Sequence, residues 1–477
     1  MDQPFTLAFD VAADEVDKLR RHKALRGNTE GRPTTWVEDL TFFADDAANA
    51  RTPGIDSGRL RQAGAGMFDQ VSLADCADPE ILLGLRGLDT THLRAAFGKR
   101  VSKVERRLAL DGSLVDCVFE VGTLSNSSQS VPIARLRFAV QDGTPFRLFD
   151  LIDELRRTVV LRVAVQEPEE RGYASFTEAG PQIIRAESIE LMPQMSREAA
   201  YAKILRSCIE HWTGNEVAAI EARLPEGVHQ MRVALRRLRA AISVFKGLMP
   251  VPREIWVKEQ VRWLAGTLGQ AREWDVFLDD TLAPVEAHFA GEPGLAMLRE
   301  RACSRRDQGY RGLCTAVASE RYTDLLIELY GWIALLDAAA PMAAAGYDIA
   351  TFAADKGQRL TARALRQGRD LITAPADQRH ELRLQLKKLR YTGEFFRSLI
   401  PSKQFGATLS LVGQLQGILG EGNDLAVARD LLAKIGDPGT ARAEGLLLGW
   451  HAAAGSLKGA DLHYKWQKFA GAKSIWR

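Results

Sequence analysis

"HQMRVALRRLRAAISVF", residues 229–245, places four arginines within the eight positions from Arg232 to Arg239, just behind His229. The chain as a whole is nearly neutral, because 63 Lys and Arg stand against 61 Asp and Glu for a formal charge of +2. Total charge therefore says nothing about an anionic partner, and any such signal must come from clustering. A helix turns about 100° per residue. With His229 as origin, Arg232, Arg236 and Arg239 fall between roughly 280° and 340°, and Met231, Leu235, Leu238, Ile242 and Phe245 between roughly 160° and 240°. The stretch predicts a helix with one apolar flank for a core and a basic stripe beside it. Arg237, at roughly 80° by the same rule, lies off the stripe.

The pattern recurs. "HELRLQLKKLRYTGEFF", residues 380–396, aligns with it so that His229 falls on His380, a displacement of 151 residues. Arg232 then falls on Arg383, Arg236 on Lys387, Arg237 on Lys388, Arg239 on Arg390 and Phe245 on Phe396. The same displacement carries "GTLGQAREWDV" (266–276) onto "GILGEGNDLAV" (417–427), with Gly266 on Gly417 and Gly269 on Gly420. One displacement held without a gap over nearly fifty residues reads as a tandem duplication: two helical units, each with one basic helix and one Leu-Gly turn. The second copy sets His380, Arg383, Lys387 and Arg390 on the equivalent stripe. A lone basic stripe is ordinarily a solvated face, and like charges at i, i+4 cost a few tenths of a kcal/mol per pair. Here both copies keep the stripe at one register, and two arginines become lysines without loss of charge. That repetition favours an anion site. Related by approximate two-fold symmetry, the stripes would face one another across a groove. Lys203 and Arg206, Lys258 and Arg262, Arg301 and Arg305, and Arg359 and Arg363 are candidates to extend its lining.

The two halves of the chain differ in texture. Residues 1–190 alternate apolar and polar residues in "TLAFDV" (6–11), "VSKVERRLAL" (101–110), "LVDCVFEVGTL" (114–124) and "IARLRFAV" (133–140), near turns such as Asp111-Gly112 and Asp142-Gly143. Such alternation predicts antiparallel strands. "FRLFDLIDELRRTV" (146–159) switches to helical spacing, and "VVLRVAV" (159–165) alternates again. From 197 to 477 the strand signal is gone, and segments such as 197–213, 228–248, 253–268 and 295–318 have the three- and four-residue steps of helices. "ESIELMPQMSRE" (187–198) reads as the linker, with Ser196 as a helix N-cap. The expected architecture is an α+β multidomain chain: an antiparallel β-rich domain over 1–190 and an all-α domain over 197–477.

The five cysteines, Cys76, Cys117, Cys208, Cys303 and Cys314, are odd in number and scattered, so neither a disulfide framework nor a zinc site is expected. The N-terminal residues lack the apolar core of a secretory signal, and no apolar run nears the roughly 18 residues of a membrane span. A cytoplasmic protein is expected, with no membrane partner. No G-x-S-x-G, P-loop or HExxH pattern occurs, and the eight histidines are scattered. No catalytic residue, metal or cofactor is therefore predicted.

The paired motifs "HQMRVALRRLR…LGQAREWDV" and "HELRLQLKKLRYTGEFF…LGEGNDLAV" resemble those of the CHAD domain, the conserved histidine α-helical domain, over 197–477. The resemblance implies two four-helix units that bind inorganic polyphosphate along a basic surface. It carries the site onto His229, Arg232, Arg236, Arg237 and Arg239, and onto His380, Arg383, Lys387, Lys388, Arg390 and Tyr391. The family's Arg-Asp pair stands here as Arg272-Glu273 and as Asn423-Asp424. The first half is similar in outline to the CYTH family, a tunnel formed by an antiparallel barrel that hydrolyses triphosphates with a bound metal. Its charged signatures have departed. Thr6, Ala8 and Asp10 stand where the opening strand carries Glu-x-Glu-x-Lys, Arg135 and Arg137 stand where glutamates belong, and only Arg171-Gly172 remains of the later basic motif. Hard divalent cations need carboxylate oxygens, so a degenerate, non-hydrolytic domain is expected.

The leading expectation is a polyphosphate-binding protein, with association to polyphosphate granules as its setting. The alternative is a metal-dependent triphosphatase using the helical half as substrate anchor. Specific nucleic-acid binding is disfavoured, because the stripes lack interleaved aromatic platforms and base-reading Asn, Gln and Arg sets.

Overall fold

The computed structural model describes residues 5–45, 50–51, 55–56, 93–177, 180–339, 348–371, 373–455, 459–472 and 475–476. They form two compact units. The first comprises Met1–Ile183 together with Glu320–Ala334, and the second comprises Ile184–Ser319 and Leu335–Arg477.

The first unit is built on strands β1 (Thr6–Val11), β2 (Thr29–Asp45), β3 (Ala50–Arg51), β4 (Ile55–Asp56), β5 (Leu93–Leu110), β6 (Ser113–Ser125), β7 (Ser130–Asp142) and β8 (Leu161–Val163). They pair in the order β3-β2-β5-β6-β7-β1-β8, with β4 also on β2, and every pairing is antiparallel. Asp111 and Gly112 join β5 to β6 with φ of 44° and 83°. Positive φ at both central residues is what a two-residue hairpin turn requires, because its twist then matches that of the strands. β2 carries no clear alternation at its start, since Gly31 and Pro33 read as turn residues. They lie in a register shift between Glu30 and Thr34, a bulge that absorbs both without ending the strand. The expected tunnel is not seen among the described residues, because the end strands β3 and β8 pair only with β2 and β1. The longer helices following the strands are α1 (Phe146–Arg156) and α2 (Pro168–Phe176), and α2 packs on β5 and β6. The remnant Arg171-Gly172 thus lies on a helix.

The second unit contains α3 (Arg197–Thr213), α4 (Pro225–Val244), α5 (Val251–Val276), α6 (Pro293–Val317), α8 (Ile349–Gln367), α9 (Ala376–Phe395), α10 (Lys403–Ile435), α11 (Ala441–Gly455) and α12 (Gly459–Ala470). Between α6 and α8 runs α7 (Glu320–Ala339), most of which belongs to the first unit. Ser196 caps α3 by accepting from the Ala199 N–H. α3 and α8 begin 152 residues apart, α4 and α9 151, and α5 and α10 152. The expected Leu-Gly turns are not turns. Gly266 and Gly269 lie inside α5, and Gly417 and Gly420 inside α10.

The core of this unit takes the apolar flank read from sequence. Met231, Leu235, Leu238, Ile242 and Phe245 are each at most 2% exposed. At its centre Phe245 stacks on Tyr201 at 4.6 Å and on Phe352 at 5.1 Å, and meets Phe396 edge-on at 6.2 Å. Phe352 and Phe396 are edge-to-face at 6.3 Å. Tyr201 and Phe352 are 151 residues apart, as are Phe245 and Phe396, so each run of helices supplies the same two rings.

α7 has few exposed residues, which suits a helix buried on more than one side. Tyr322, Leu325, Leu326, Leu329, Trp332 and Ile333 are buried, Asp324 pairs with Arg156 of α1, and Gly331 lies against Phe149. Sequence patterning assigns all of 197–477 to one helical domain, yet these residues cluster with the sheet.

Truncating Phe245 to alanine is expected to cost about 3–5 kcal/mol, and urea unfolding followed by circular dichroism measures it. A similar loss is expected for Phe396→Ala.

Candidate functional site

α4 and α9 meet side by side, and their polar side chains touch directly. Arg236 donates through Nε to the Tyr391 hydroxyl at 3.2 Å, and Lys388 donates to Ser243 Oγ. The stripes therefore lie on one shared surface. Lys387 of α9 is half-buried, and its ammonium is lowered to about 8, first by burial and then by Arg383, Arg236, Arg232 and Arg390. Those four cations come from both helices. Arg232 is held below its ordinary value by burial, then by Arg236 and Arg272, with Glu273 opposing. His229 is also depressed, first by burial and then by Arg272, with Arg236 and Arg232 adding and Glu226 opposing. The cluster is thus His229, Arg232, Arg236, Arg272, Arg383, Lys387 and Arg390, drawn from α4, α5 and α9.

Few of these charges are neutralised. Among the described residues, Arg390 pairs with Glu394 at 3.0 Å and reaches Gln416 at 3.3 Å, whereas no carboxylate lies within ion-pair distance of Arg232, Arg236, Arg272, Arg383 or Lys387. Two buried guanidinium nitrogens, Nη1 of Arg232 and Nε of Arg383, have no hydrogen-bond partner. They belong to residues at equivalent positions in the two runs. A buried donor left unmade costs about 1–3 kcal/mol.

The remaining candidates separate into groups. Lys388 faces a second cluster, since burial and then Lys356, Arg363 and Lys258 lower its ammonium. Lys258 is paired with Glu254 within α5. Arg239 and Arg262 are exposed, and so is His380, in contrast to half-buried His229. Arg237 is not at the surface at all. It is 2% exposed, bonded to His211 Nδ1 at 3.2 Å and Ser207 Oγ at 3.1 Å, with its guanidinium carbon 5.9 Å from the centre of the Phe395 ring. Its place off the stripe turns it into a second core. His211 is lowered to about 4, chiefly by burial, so it stays neutral beside that arginine. Lys203 is spent on the Glu190 carbonyl, and Arg206 on Asp337. Arg301 pairs with Asp437 at 3.5 Å, and Arg305 bonds the Lys434 carbonyl at 2.9 Å. Arg359 lies 3.7 Å from Asp355. The side chains of Asn423 and Asp424 lie outside the described residues.

Two cations escaped the sequence reading. Lys356 lies one helical face with Arg359 and Arg363, at i, i+3 and i+7, a spacing that was there to be read. Arg306 of α6 acts with Arg272 on buried Asp275, and only the packing of α6 on α5 brings it there.

The sheet unit disposes of its charges internally. Cross-strand neighbours Asp10, Arg135, Glu120 and Lys103 alternate in sign across β1, β7, β6 and β5. Arg135 bonds Asp10 at 2.9 Å and Glu167 at 3.1 Å, and Arg137 also reaches Glu167. Lys103 bonds Glu120 and Glu38 at 2.9 Å each, and Lys99 bonds Glu169. The arginines on β7 are thus met by carboxylates of the same unit. Among the described residues, no three His, Cys, Asp or Glu converge as metal ligands, and no helix is long and apolar enough to cross a membrane.

Two like-charged helices packed on a common aromatic core define a class of helical protein with a duplicated basic motif. The CHAD domain profile matches residues 203–433. The crystal structure of the CHAD domain from the plant Ricinus communis is 31% identical, with a TM-score of 0.55, covering 62% of this chain and 98% of that one. The chain belongs to the CHAD domain family. An uncharacterized protein of Mycobacterium tuberculosis, matched in two strains, is 28% identical over 223 residues. That match covers 45% of this chain and 41% of the relative, so the chain spans about two-fifths of that protein's length.

Lys387 gives the cluster a pH signature. Its folded value of about 8 lies below the ordinary 10.5, so between these limits the unfolded chain holds a proton that the fold has released. Stability contributed through this group should therefore rise as pH climbs from about 8 to 10.5. Denaturant titrations of wild type and Lys387→Met across that range should show the rise in wild type and its loss in the variant, which should also be the more stable of the two at pH 7.

Proposed function

We propose that the helical unit binds inorganic polyphosphate across α4 and α9. The observation that carries this reading is the convergence of Arg232, Arg236, Arg383 and Lys387 without a described carboxylate to neutralise them. Such a cluster destabilises the free protein and becomes favourable only when anionic oxygens enter it. Arginine offers a forked pair of donors to two phosphate oxygens, and lysine offers a point charge. A linear chain of phosphates supplies many oxygens at short repeat, which suits two stripes on adjoining helices better than one compact anion. Membership of the CHAD family, whose resemblance implies polyphosphate as ligand, supports the same choice. The second cluster, Lys258, Lys356, Arg363 and Lys388, extends the path around α9. Equal helix spacing and the paired rings support a tandem duplication as the origin of the two stripes. Granule association is the cellular setting this reading implies.

We read the sheet unit as a degenerate CYTH-type domain. Arg135 and Arg137 stand on β7 in place of the expected glutamates, and the carboxylates beside them are engaged in ion pairs. A hydrolytic metal would have to displace those pairs.

Charge reversal at Arg236→Glu with Lys387→Glu removes two charge-assisted contacts of about 1.5–3 kcal/mol each. Affinity for long-chain polyphosphate should fall at least about a hundredfold while the helical circular dichroism is retained. Wild-type binding should weaken steadily with salt and as pH rises through about 8, where Lys387 loses its proton. Undiminished affinity in the double variant would place the ligand elsewhere.

A further inference from the structure

Two mid-helix glycines, read from sequence as turns, have no role in chain reversal. A glycine inside a helix is normally a liability relative to alanine, so its presence in the middle of α5 and of α10 needs a reason. A Cβ built on Gly269 would lie 2.7 Å from Nη1 of Arg232, and one built on Gly420 would lie 3.2 Å from Nη2 of Arg383. Both glycines are buried. Each therefore leaves the gap into which the guanidinium of a neighbouring basic helix settles. Both arginines carry a buried nitrogen without a hydrogen-bond partner, as Arg237 and Arg390 also do, and the two contacts are 151 residues apart at both ends. The neighbouring glycines of the same motif differ. A Cβ on Gly266 or Gly417 would meet nothing within 4 Å.

We infer that Gly269 and Gly420 are positioning residues of the anion site, seats that hold the Arg232 and Arg383 guanidinium groups down on α5 and α10 with a donor turned toward the ligand. A methyl group at either position displaces the guanidinium rather than the backbone, because the atom it meets is the far end of a flexible side chain. The fold tolerates the change and the site does not. The displacement is larger at Gly269, where the gap is tighter. The consequence for binding rests on the polyphosphate reading, whereas the seating itself is a property of the free protein.

The test compares four single variants of the full chain: Gly269→Ala, Gly420→Ala, and the controls Gly266→Ala and Gly417→Ala. All four replace a helical glycine by a better helix former, so thermal stability should hold or rise in each. Polyphosphate affinity should fall about tenfold in Gly269→Ala, roughly the loss of one charge-assisted hydrogen bond, by less in Gly420→Ala, and not at all in the controls. The titration of His229 in the ligand-free protein, followed by NMR, is a second readout, since Arg232 is one of the charges acting on that imidazole. Its midpoint should move in Gly269→Ala and stay fixed in Gly266→Ala. If wild type fails to bind polyphosphate yet the His229 midpoint moves as described, the seating stands and the ligand assignment falls. Equal affinities across the four variants with wild-type binding intact, or a His229 midpoint unmoved by Gly269→Ala, overturns the seating.

Discussion

Four aromatic rings hold two repelling helices together. Tyr201 and Phe245 from the first run of helices, and Phe352 and Phe396 from the second, form one contiguous cluster beneath α4 and α9. An aromatic side chain buries 150–250 Å², which at about 25 cal/mol per Å² is roughly 4–6 kcal/mol per ring, an upper figure because the unfolded chain already hides some of that area. Two like charges at 4 Å repel by about 1 kcal/mol in water and about 4 kcal/mol at an effective dielectric of 20. Apolar burial on this scale exceeds the repulsion among a handful of half-hydrated cations. Without it, Lys387 and its four arginine neighbours would separate and dissolve the surface they share.

The arrangement keeps like charges close together in the free protein. Lys387 gives up affinity for its proton, His229 stays neutral at physiological pH, and two guanidinium nitrogens forgo hydrogen bonds. Under the proposed polyphosphate reading, negatively charged oxygens would relieve these strains. On that reading, binding would draw on an electrostatic field that the core has already assembled. The sheet unit shows the opposite solution. Its buried Arg135 and Lys99 have carboxylate partners in place.

Much of this was legible in the chain itself. The strands β1, β6 and β7, the helices α3, α4 and α6, and the apolar flank of α4 follow from periodicity, because one face of each is buried and the other is not. The register of the two basic helices follows from a single displacement. What periodicity does not carry is the identity of the neighbour. Arg237 sits off the stripe, and the angle alone does not tell solvent from a second core built by His211 and Phe395. Arg206 and Lys203 have the composition of site residues, yet their partners, Asp337 and the Glu190 carbonyl, are set by tertiary packing. Gly269 reads as a turn because glycine usually ends a helix. Its actual neighbour is an arginine some forty positions away.

α7 stands between α6 and α8 in the chain. Its first fifteen residues lie with the sheet and its last five with the bundle. The backbone accordingly passes from one unit to the other three times, at 183/184, 319/320 and 334/335. Units joined by one tether can be exchanged or lost in evolution by a single crossover in the gene. A single cut at 183/184 does not part these two, because Glu320–Ala334 remains in the bundle's stretch of chain.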